Sequence, residues 1–523
     1  MSVDTNNAAF QDALNLIQYT RQSVFLTGKA GTGKSTFLRH VCEHTKKKHV
    51  VLAPTGIAAI NAGGSTMHSF FKLPFYPLLP DDPNLSLQRG RIHEFFKYTK
   101  PHRKLLEQIE LVIIDEISMV RADIIDAIDR ILRVYSHNLR EPFGGKQLLL
   151  VGDVFQLEPV VKNDEREILN RFYPTPYFFS ARVFGQIDLV SIELQKVYRQ
   201  TDPVFVGVLD HIRNNTAGAA DLQLLNTRYG SQIEESEADM YITLATRRDT
   251  VDSINEKKLA ELPGDPITFE GVIEGDFPES SLPTSQELVL KPGAQIIFIK
   301  NDFDRRWVNG TIGVIAGIDE EEETIYVITD DGKECDVKRE SWRNIRYRYN
   351  EKTKEIEEEV LGSFTQYPIR LAWAITVHKS QGLTFSRVVI DFTGGVFAGG
   401  QAYVALSRCT SLDGIQLKKP INRADVFVRP EIVVWTDGAY RNLSRDPEAQ
   451  QIAYRVEITG TEALPDVVKT VITEAAEGCE LSRVGQQLFV VGMFDDKAVA
   501  DRVAAAIIQA DPSLEIKVAE IAE

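Results

Sequence analysis

The feature that most limits the fold of this chain is the sequence GKAGTGKS at residues 28–35. It follows a short apolar run, SVFLT, and precedes a stretch over 35–44 with the periodicity of a helix. A G-x-x-x-x-G-K-[ST] pattern between a strand and a helix is typical of a phosphate-binding loop. We therefore predict that Lys34 reaches the β and γ phosphates of a nucleotide and that Ser35 binds Mg²⁺. A glycine-rich turn without a ligand is the alternative, and the flanking elements disfavour it.

Two further apolar runs end in polar residues. LVII at 111–114 is followed by Asp115 and Glu116, which places both carboxyl groups at the carboxyl end of a buried strand. Asp115 would hold Mg²⁺ through water and Glu116 would polarise the attacking water. Gln156 follows the run LLLV at 148–151 and could contact the γ phosphate. An ordinary surface loop explains Gln156 equally well.

Hydrolysis at such a site usually needs an arginine that neutralises charge in the transition state. Arg199, in KVYRQ, and Arg408, in VALSRC, are the candidates. A single arginine is more often a surface ion-pair donor, and spacing does not decide between these roles.

The order of apolar runs indicates an α/β protein. Over the first 190 residues short apolar strands alternate with amphipathic stretches, as in a parallel sheet covered on both faces. A second such block begins near Leu194 and resumes at YITLATRR and RLAWAITVHKS. Between these runs, residues 285–365 are rich in short strands and turns and predict an inserted β-barrel. Residues 451–523 read as a compact β-α-β-α-β appendage.

Composition excludes several classes of protein. The chain has 523 residues with a net charge of −16, which argues against a surface that coats nucleic acid broadly and leaves room for a local basic groove. No apolar run approaches the length of a membrane span, and the first ten residues resemble neither a secretory signal nor a transit peptide. Four widely separated cysteines exclude a disulfide scaffold and suit a reducing compartment.

Taken together, these segments resemble the Pif-type (petite integration frequency) DNA helicases of superfamily 1. The resemblance spans roughly residues 10 to 435, with the motifs in the order of that family. It is carried by GKAGTGKST (28–36), APTGIAAINAGGSTMHSFF (53–71), IIDEISMVRADIIDAIDRILR (113–133), FGGKQLLLVGDVFQLEPV (143–160), LQKVYRQTDPVFVGVLDHIRNN (194–215), WVNGTIGV (307–314), AITVHKSQGLTF (374–385) and YVALSRC (403–409).

The resemblance implies an α/β fold with two RecA-like parallel-sheet domains in tandem, an inserted small β-barrel, a wedge insertion and a C-terminal βαβ appendage. We expect a first RecA-like ATPase domain at 1–190, with the wedge at about 71–100. The second RecA-like domain is expected at 191–285 and 366–445, and the barrel at 286–365. The appendage, at 446–523, is faintly similar to SPOR-type or ferredoxin-like modules, and its fifteen acidic residues against six basic ones argue against DNA binding.

The resemblance also implies ATP and Mg²⁺ as cofactors, with the nucleotide in the cleft between the two domains. Gln11 is expected to read adenine, although a polar position on an amphipathic helix explains it as well. The positions that match the nucleotide site of the family are Gln11, Gly28, Ala30, Gly31, Thr32, Gly33, Lys34, Ser35, Thr36, Asp115, Glu116, Gln156, Arg199 and Arg408, with Ser35 and Asp115 at the metal.

On the DNA side, the resemblance implies contacts with the backbone of a single strand that crosses both domains. The matching positions are Thr55, Gly56, His68, Thr246, Arg247, His378, Lys379 and Ser380. Without the motif context, His68 and His378 would be interpreted as core residues, and Arg247 as part of a solvent-exposed face. Phe71, Phe75 and Tyr76 are candidates for stacking in the wedge, and they could equally form an ordinary loop core.

The function these observations favour is an ATP-dependent DNA helicase that moves 5′ to 3′ on single strands and unwinds forked duplexes. G-quadruplexes and RNA–DNA hybrids are further expected substrates. The family comparison also leads us to expect a monomer on DNA, no membrane partner and a bacterial, cytoplasmic, nucleoid-associated protein. One alternative is a RecD-like helicase subunit of a repair nuclease complex. Another is a nucleotide-gated binding protein without motor activity, which the two carboxylates and two arginines disfavour.

Overall fold

The computed structural model describes most of the chain, in two compact units, Met1–Ala439 and Tyr440–Glu523. The described residues are 7–86, 91–200, 202–230, 240–304, 306–350, 352–353, 355–441, 452–459, 461, 463–475, 481–483, 489–494 and 497–522.

A six-stranded parallel sheet forms the first part of unit one. Its strands are β1 (Ser23–Gly28), β2 (His49–Ala53), β3 (Ser65–Thr66), β4 (Leu111–Ile114), β5 (Gln147–Val151) and β6 (Leu189–Leu194), in the order β3-β2-β4-β5-β1-β6. Every residue of β4 and β5 is buried, as expected for apolar strands covered by helices on both faces. The helices are α1 (Ala8–Tyr19), α2 (Lys34–His44), α3 (Gly56–Ala62), α4 (Met67–Phe71), α5 (Arg91–Phe96), α6 (Lys100–Gln108), α7 (Ala122–Tyr135) and α8 (Asn163–Leu169).

The first sheet extends past the expected boundary at residue 190. Strand β6 pairs in parallel with β1 over six residues, from Ser23 opposite Leu189 to Gly28 opposite Leu194. The prediction placed 191–194 in the second domain, whereas backbone hydrogen bonding assigns these residues to the first sheet. The other expected domain boundaries stay predictions.

The chain then passes through α9 (Pro203–Arg213), α10 (Ala219–Asn226), β7 (Ile242–Ala245) and α11 (Arg248–Glu261) into a region of short strands. Three antiparallel sheets form there, with the orders β10-β8, β14-β13-β12-β11-β17 and β15-β16-β9. The strands are β8 (Ile267–Glu270), β9 (Val272–Gly275), β10 (Glu287–Leu290), β11 (Gln295–Phe298), β12 (Ile312–Asp319), β13 (Thr324–Thr329), β14 (Glu334–Val337), β15 (Glu340–Asn350), β16 (Glu355–Gln366) and β17 (Ile369–Leu371). Strands before residue 286 therefore contribute to this region.

A second parallel sheet completes unit one. It consists of β18 (Ala374–Thr376), β7, β19 (Val388–Asp391) and β20 (Ile415–Leu417), in the order β18-β7-β19-β20. Helices α12 (Gln401–Leu406) and α13 (Pro430–Arg441) follow β19 and β20 in sequence. The expected fold class, α/β with two parallel sheets in tandem, is confirmed.

Unit two is an α+β module. Its elements are β21 (Ile452–Thr459), α14 (Asp466–Ala475), β22 (Leu481–Arg483), β23 (Phe489–Phe494), α15 (Lys497–Ala510) and β24 (Glu515–Ala522). The strands pair antiparallel in the order β22-β23-β21-β24, which together with the β-α-β-β-α-β sequence is a ferredoxin-like arrangement. Val456, Val468 and Ile507 are fully buried in its core. A relation to SPOR modules stays a prediction.

Across the described ranges, helices that are both long enough and apolar enough to cross a bilayer do not occur.

Candidate nucleotide and DNA sites

The loop between β1 and α2 has the conformation of a phosphate cradle. Gly31 and Gly33 have φ values of 81° and 91°, a left-handed region that side chains disfavour. A Cβ atom on Gly31 would lie 2.5 Å from Cβ of Arg199, so the loop tolerates only glycine there. Lys34 opens α2 and donates from Nζ to the carbonyl oxygens of Gly28 and Lys29, at 2.6 and 3.0 Å. Burial lowers the pKa of Lys34, against the opposing fields of Asp153 and Glu116.

A residue of the second parallel-sheet region contacts this loop directly. The backbone N–H of Ala30 donates to the hydroxyl of Tyr403, on α12, at 2.9 Å. Tyr403 is buried, and burial raises the pKa of its hydroxyl. The two parts of unit one therefore meet at the nucleotide loop.

The carboxyl pair lies where the sequence predicts, just past β4. Asp115 accepts the backbone N–H of Glu116 at Oδ1, at 2.9 Å, and Glu116 has a left-handed φ of 51°. Burial raises the pKa of Asp115. Burial, and then repulsion by Asp115, raises the pKa of Glu116 to about 7. A carboxyl group with a pKa near neutrality suits a proton acceptor, because it can gain and lose a proton at working pH.

Gln381 joins this pair to the third motif. Its Nε2 donates to Oε2 of Glu116 at 2.7 Å and to Oε1 of Gln156 at 3.2 Å. Gln156 in turn donates to Oδ2 of Asp153 at 3.4 Å. Asp153 forms a buried ion pair with Arg213, on α9, at 3.0 Å. A continuous polar network therefore runs from Glu116 to α9.

The two candidate arginines lie side by side. Arg199 is half-buried and donates to the carbonyl oxygen of Ser407 at 3.1 Å. Arg408 is almost fully buried and donates to Val404 O and Ser407 Oγ, each at 2.9 Å. Burial, and then the charge of Arg199, lowers the pKa of Arg408 to about 9. Arg199 lies in the loop between β6 of the first sheet and α9, and Arg408 lies just after α12 of the second-sheet region. The assignment of both arginines to the second domain stays a prediction.

A cavity of about 1030 Å³ collects most of the predicted nucleotide residues. It is lined by Ala30, Gly31, Thr32, Gly33, Lys34, Ser35, Thr36, Asp115, Glu116, Gln156, Arg199 and Arg408, together with Asn7 and Phe10 of the α1 region. Gly28 and Gln11 are not part of this lining. Asn7 caps α1 by accepting the N–H of Phe10 at 3.4 Å. Phe10, directly before Gln11, lines the cavity.

The residues of the cavity fit a nucleotide with Mg²⁺. Its volume and glycine-lined cradle suit a triphosphate, and the hydroxyl of Ser35 and the carboxylate of Asp115 are the hard oxygen donors that Mg²⁺ prefers. Mg²⁺, when bound, would neutralise charge that develops on the phosphates.

The DNA candidates of the first sheet follow β2 and the edge strand β3 in the chain. Thr55 is exposed and caps α3 by accepting the N–H of Ala58 at 3.3 Å. Gly56 packs so closely on Ser281 that a Cβ atom would lie 2.8 Å from its Oγ. His68 stacks on Phe75 with ring centroids 5.1 Å apart. Burial lowers the pKa of His68, which favours the neutral ring.

The candidates of the second sheet divide into exposed and buried groups. Arg247 is exposed and donates from Nε to Gly394 O at 3.0 Å, while His378 stacks on Phe397 at 6.5 Å. Thr246 is buried, and its hydroxyl lacks a hydrogen-bond partner in the described structure. Ser380 is fully buried and donates to Val377 O at 2.7 Å. The expected DNA contact by the Ser380 hydroxyl is therefore not available in this conformation.

Of the three wedge aromatics, two are exposed. Phe75 and Tyr76 are 83% and 52% exposed, whereas Phe71 is fully buried in the first core. The expectation of stacking by Phe71 is wrong, because α4 turns its ring inward against Phe70. Part of the expected wedge, residues 87–90, lies outside the described residues.

Sequence reasoning missed Gln381, Tyr403 and Arg213. Gln381 directly follows His378, Lys379 and Ser380, which were predicted to contact DNA. Its position in HKSQG was therefore the available signal. Tyr403 lies within YVALSRC, but a tyrosine on an apolar helix reads as core. Nothing in the sequence marks Arg213 as the partner of Asp153.

A glycine-rich cradle at the end of a parallel strand, a carboxyl pair at the end of another strand of the same sheet and an arginine from a second parallel-sheet region define a two-sheet P-loop ATPase. A family model described as PIF1-like helicase matches residues 4–211. The ATP-dependent DNA helicase Pif1 of Campylobacter jejuni is 33% identical over 412 residues, which cover 76% of this chain and 88% of that protein.

Solved structures agree with this match. The crystal structure of Bacteroides sp Pif1 in complex with ADP-AlF4 superimposes with a TM-score of 0.77 at 40% identity, covering 85% of this chain and 98% of that one. The structure of Bacteroides Pif1 bound to ssDNA has a TM-score of 0.60 at 41% identity over the same shares. The chain belongs to the PIF1-like helicase family, and with it to the ATP-hydrolysing DNA helicases. The resemblance drawn from its motifs is thereby confirmed.

Proposed function

We propose that this helicase moves 5′ to 3′ along single-stranded DNA and unwinds duplexes at forks. The observation that carries the proposal is the position of Gln381. This residue directly follows the turn His378–Ser380, where DNA contacts are expected, and its side chain bonds to Glu116 and Gln156 in the nucleotide site. A displacement of that turn by DNA would move the group that holds Glu116. The polarity is supported by the family resemblance.

In the nucleotide site we assign proton acceptance from water to Glu116. Lys34 and the loop amides of 31–36 bind the phosphates, and Ser35 and Asp115 hold the metal. Gln156 senses the γ phosphate, because it lies between Gln381 and Asp153 in the same network. Binding of a triphosphate therefore acts on a chain of hydrogen bonds that ends on α9, at Arg213.

We assign Arg408 as the arginine that closes the cleft. Its guanidinium is held on backbone and hydroxyl oxygens, so its positive charge is not neutralised by a direct hydrogen bond to a carboxylate within the described chain. Burial makes that charge costly and leaves it available to an anion. Arg199, which donates to the carbonyl oxygen of Ser407, supplies a second positive charge.

For the DNA path, we propose backbone contacts from Thr55, Gly56, His68, Arg247 and His378, with Lys379 as the cation of the second sheet. Phosphate contacts of this kind hold a strand without reading its sequence. The exposure of the Phe75 and Tyr76 rings supports a role in stacking on bases where the strands separate. Single-strand tracking, forks, G-quadruplexes and RNA–DNA hybrids are all compatible with such contacts, and we propose a monomer on the strand.

The test is unwinding of partial duplexes with either a 5′ or a 3′ single-stranded tail, with ATP and with a non-hydrolysable analogue. We expect unwinding only with the 5′ tail and ATP. Forks, in which both strands carry a tail at the junction, should be unwound faster than duplexes with a 5′ tail alone. Unwinding from the 3′ tail would contradict the polarity. Hydrolysis that DNA does not stimulate would contradict the coupling through Gln381. Stable copurification of a nuclease would favour the RecD-like alternative.

A further inference from the structure

An ion pair between Glu158 and Arg429 joins the first-sheet region to the second. Glu158 follows β5 in the chain, and Arg429 directly precedes α13. Arg429 donates from Nε to Oε2 and from Nη2 to Oε1 of Glu158, at 3.0 and 3.1 Å. The side chain of Glu158 is 12% exposed and that of Arg429 is 36% exposed. Two parallel bonds between planar groups fix their orientation as well as their distance, so this pair is a rigid link.

The other contacts of Glu158 come from both regions. The hydroxyl of Tyr177 donates to Oε2 at 2.8 Å, and the backbone of Gly399 adds a further hydrogen bond. Burial raises the pKa of Glu158, but the hydrogen bonds from Arg429 and Tyr177 outweigh burial and hold the pKa below its ordinary value. The carboxylate is therefore ionised at neutral pH, and its partners belong to the protein itself.

The segments on either side of this ion pair are each anchored in the opposite core. Leu157 follows the first sheet, yet it is fully buried in the hydrophobic core of the second-sheet region. Val428 and Ile432 follow the second sheet, yet they are buried in the core that covers the first sheet. The ion pair lies between these exchanged side chains. Neither segment can shift without a change in a packed core.

Arg429 is held in place independently of Glu158. Trp435, on α13, stacks on Phe179 with ring centroids 4.5 Å apart and meets Phe178 edge to face at 5.6 Å. Both phenylalanines belong to the first-sheet region, between α8 and β6. These aromatic contacts and the burial of Ile432 dock α13 whether or not the ion pair forms. We therefore expect a protein without the ion pair to fold, with a local change near Glu158.

The ion pair is adjacent to Gln156, which lines the nucleotide cavity and accepts a hydrogen bond from Gln381 at 3.2 Å. Gly400, which precedes α12, packs directly on the backbone of this segment. A Cβ atom on Gly400 would overlap the carbonyl oxygens of Phe155 and Gln156. The segment is thus held at Gly400 and again, two residues later, at Glu158. These contacts determine where Gln156 lies relative to the second-sheet region.

We propose that Glu158 and Arg429 are positioning residues for ATP hydrolysis, which hold Gln156 in place at the nucleotide cavity. The inference rests on the proposed function in that it takes Gln156 to sense the γ phosphate. Glu158 and Arg429 are not part of the cavity lining, so their effect passes through the backbone from 156 to 158. The requirement is geometric, because a displacement of about 1 Å in a group near the reaction lowers the rate by up to about 10²-fold.

The experiment measures steady-state ATP hydrolysis by the full chain with a saturating dT oligonucleotide. Glu158→Gln replaces the carboxylate by an amide of the same size, and Arg429→Gln removes the guanidinium. We expect each to lower kcat about tenfold and to leave KM for ATP within about twofold of wild type, since the residues that bind the phosphates are unchanged. Arg346→Gln is the matched control and should behave as wild type, because it breaks an ion pair with Glu359 on the hairpin of β15 and β16.

A double variant tests the route through Gln156. Gln156→Ala should lower kcat, and Glu158→Gln should add less than about twofold in that background, because both changes act on the same group. Full additivity of the two losses would overturn the inference. A change confined to KM would also overturn it, by assigning the ion pair to nucleotide binding.

Circular dichroism fixes the folded fraction and Tm of each variant. A Glu158→Gln protein with a lowered Tm and a wild-type kcat per folded molecule would show that the ion pair is only structural, and the inference would be lost. If Arg429→Gln does not fold, Glu158→Gln decides, because its amide oxygen still accepts from Tyr177. A wild-type rate in Gln156→Ala would instead count against the proposed role of Gln156, whereas a slow Gln156→Ala with a wild-type Glu158→Gln contradicts this inference alone.

Discussion

Gln381 Nε2 lies 2.7 Å from Glu116 Oε2, although the two residues are 265 positions apart in the chain. The bond stabilises the ionised carboxylate, which burial and Asp115 otherwise disfavour. We therefore expect Gln381→Ala to lower kcat for DNA-stimulated ATP hydrolysis about tenfold or more. A hydrogen bond to a charged group contributes about 1.5–3 kcal/mol, and about 1.4 kcal/mol corresponds to a factor of ten.

The measurement is steady-state hydrolysis with and without a dT oligonucleotide. Gln223→Ala, an exposed glutamine on α10, is the matched control and should behave as wild type. The variant should also raise the pH at which activity is half-maximal, since loss of the bond raises the pKa of Glu116 further. If the kcat of Gln381→Ala equals that of the control, Gln381 does not couple DNA binding to ATP hydrolysis.

The pKa of Glu116 itself predicts a pH dependence. Because this pKa is about 7, the acceptor is protonated below that pH and ionised above it. We expect kcat/KM for ATP, which reports on the free enzyme, to rise with pH through about 7 and then level off. Glu116→Gln should abolish hydrolysis and with it this limb of the profile. A flat wild-type profile between pH 6 and about 8 would mean that another group accepts the proton.

Lys34 is expected to act on the nucleotide alone. Its ammonium group bonds to carbonyl oxygens of the phosphate loop, and the residue lines the nucleotide cavity. Lys34→Ala should nearly abolish hydrolysis and unwinding and leave single-strand affinity within a fewfold of wild type. Lys257→Ala, at an exposed position on α11, is the control. A parallel loss of DNA binding would place Lys34 in the DNA site as well.

Local segments were predictable from sequence because their chemistry is contiguous. The loop at 28–35 needs one strand, one turn and one helix, and Asp115 and Glu116 need only the strand that precedes them. The alternation of apolar runs likewise fixes a parallel sheet without knowledge of its strand order.

Relationships between distant segments were not predictable. The bond between Tyr403 and Ala30 depends on how α12 packs on the loop, and a single sequence holds no signal for that distance. Strand β15 is a similar case: the Tyr347 hydroxyl accepts the backbone N–H of Val51, at 3.3 Å, on the first sheet. Phe71 was misassigned for the same reason, since an aromatic next to a proline-rich loop has the same sequence signature whether it faces solvent or core.

Unit two should be dispensable for hydrolysis. Val456, Val468 and Ile507 belong to a hydrophobic core formed within unit two. All motifs that resemble the helicase family lie before residue 440, in unit one. Removal of 446–523 should leave DNA-stimulated ATPase activity within about twofold of the full chain at equal folded concentration, because the catalytic groups and the network from Glu116 to Arg213 stay in place. The comparison uses circular dichroism to fix the folded fraction. A folded truncation that hydrolyses ATP and cannot unwind DNA would assign the appendage to the motor.

The arginine pair gives the sharpest test of closure. Arg408 reaches the nucleotide cavity from the second sheet, and Arg199 comes from the loop after the last strand of the first. Each alanine substitution should lower kcat by about 10³ or more, the scale on which an arginine acts in phosphoryl transfer. ATP affinity should change much less, since the guanidinium charge matters most in the transition state. Arg182→Ala is the matched control, because Arg182 is exposed and lies outside the lining of the nucleotide cavity.

Both substitutions should also change DNA binding. Arg408→Ala removes the charge that the second sheet presents to the nucleotide cavity, so single-strand affinity should no longer change between the nucleotide-free protein and its complex with an ATP analogue. Arg199→Ala removes the hydrogen bond that links the loop after β6 to Ser407 of the second-sheet region, so it should reduce that change as well. The competing explanation is that Arg408 is only a packing residue held by Val404 O and Ser407 Oγ. In that case Arg408→Ala would lower Tm while kcat per folded molecule stayed near wild type, and the closure mechanism would have to be abandoned.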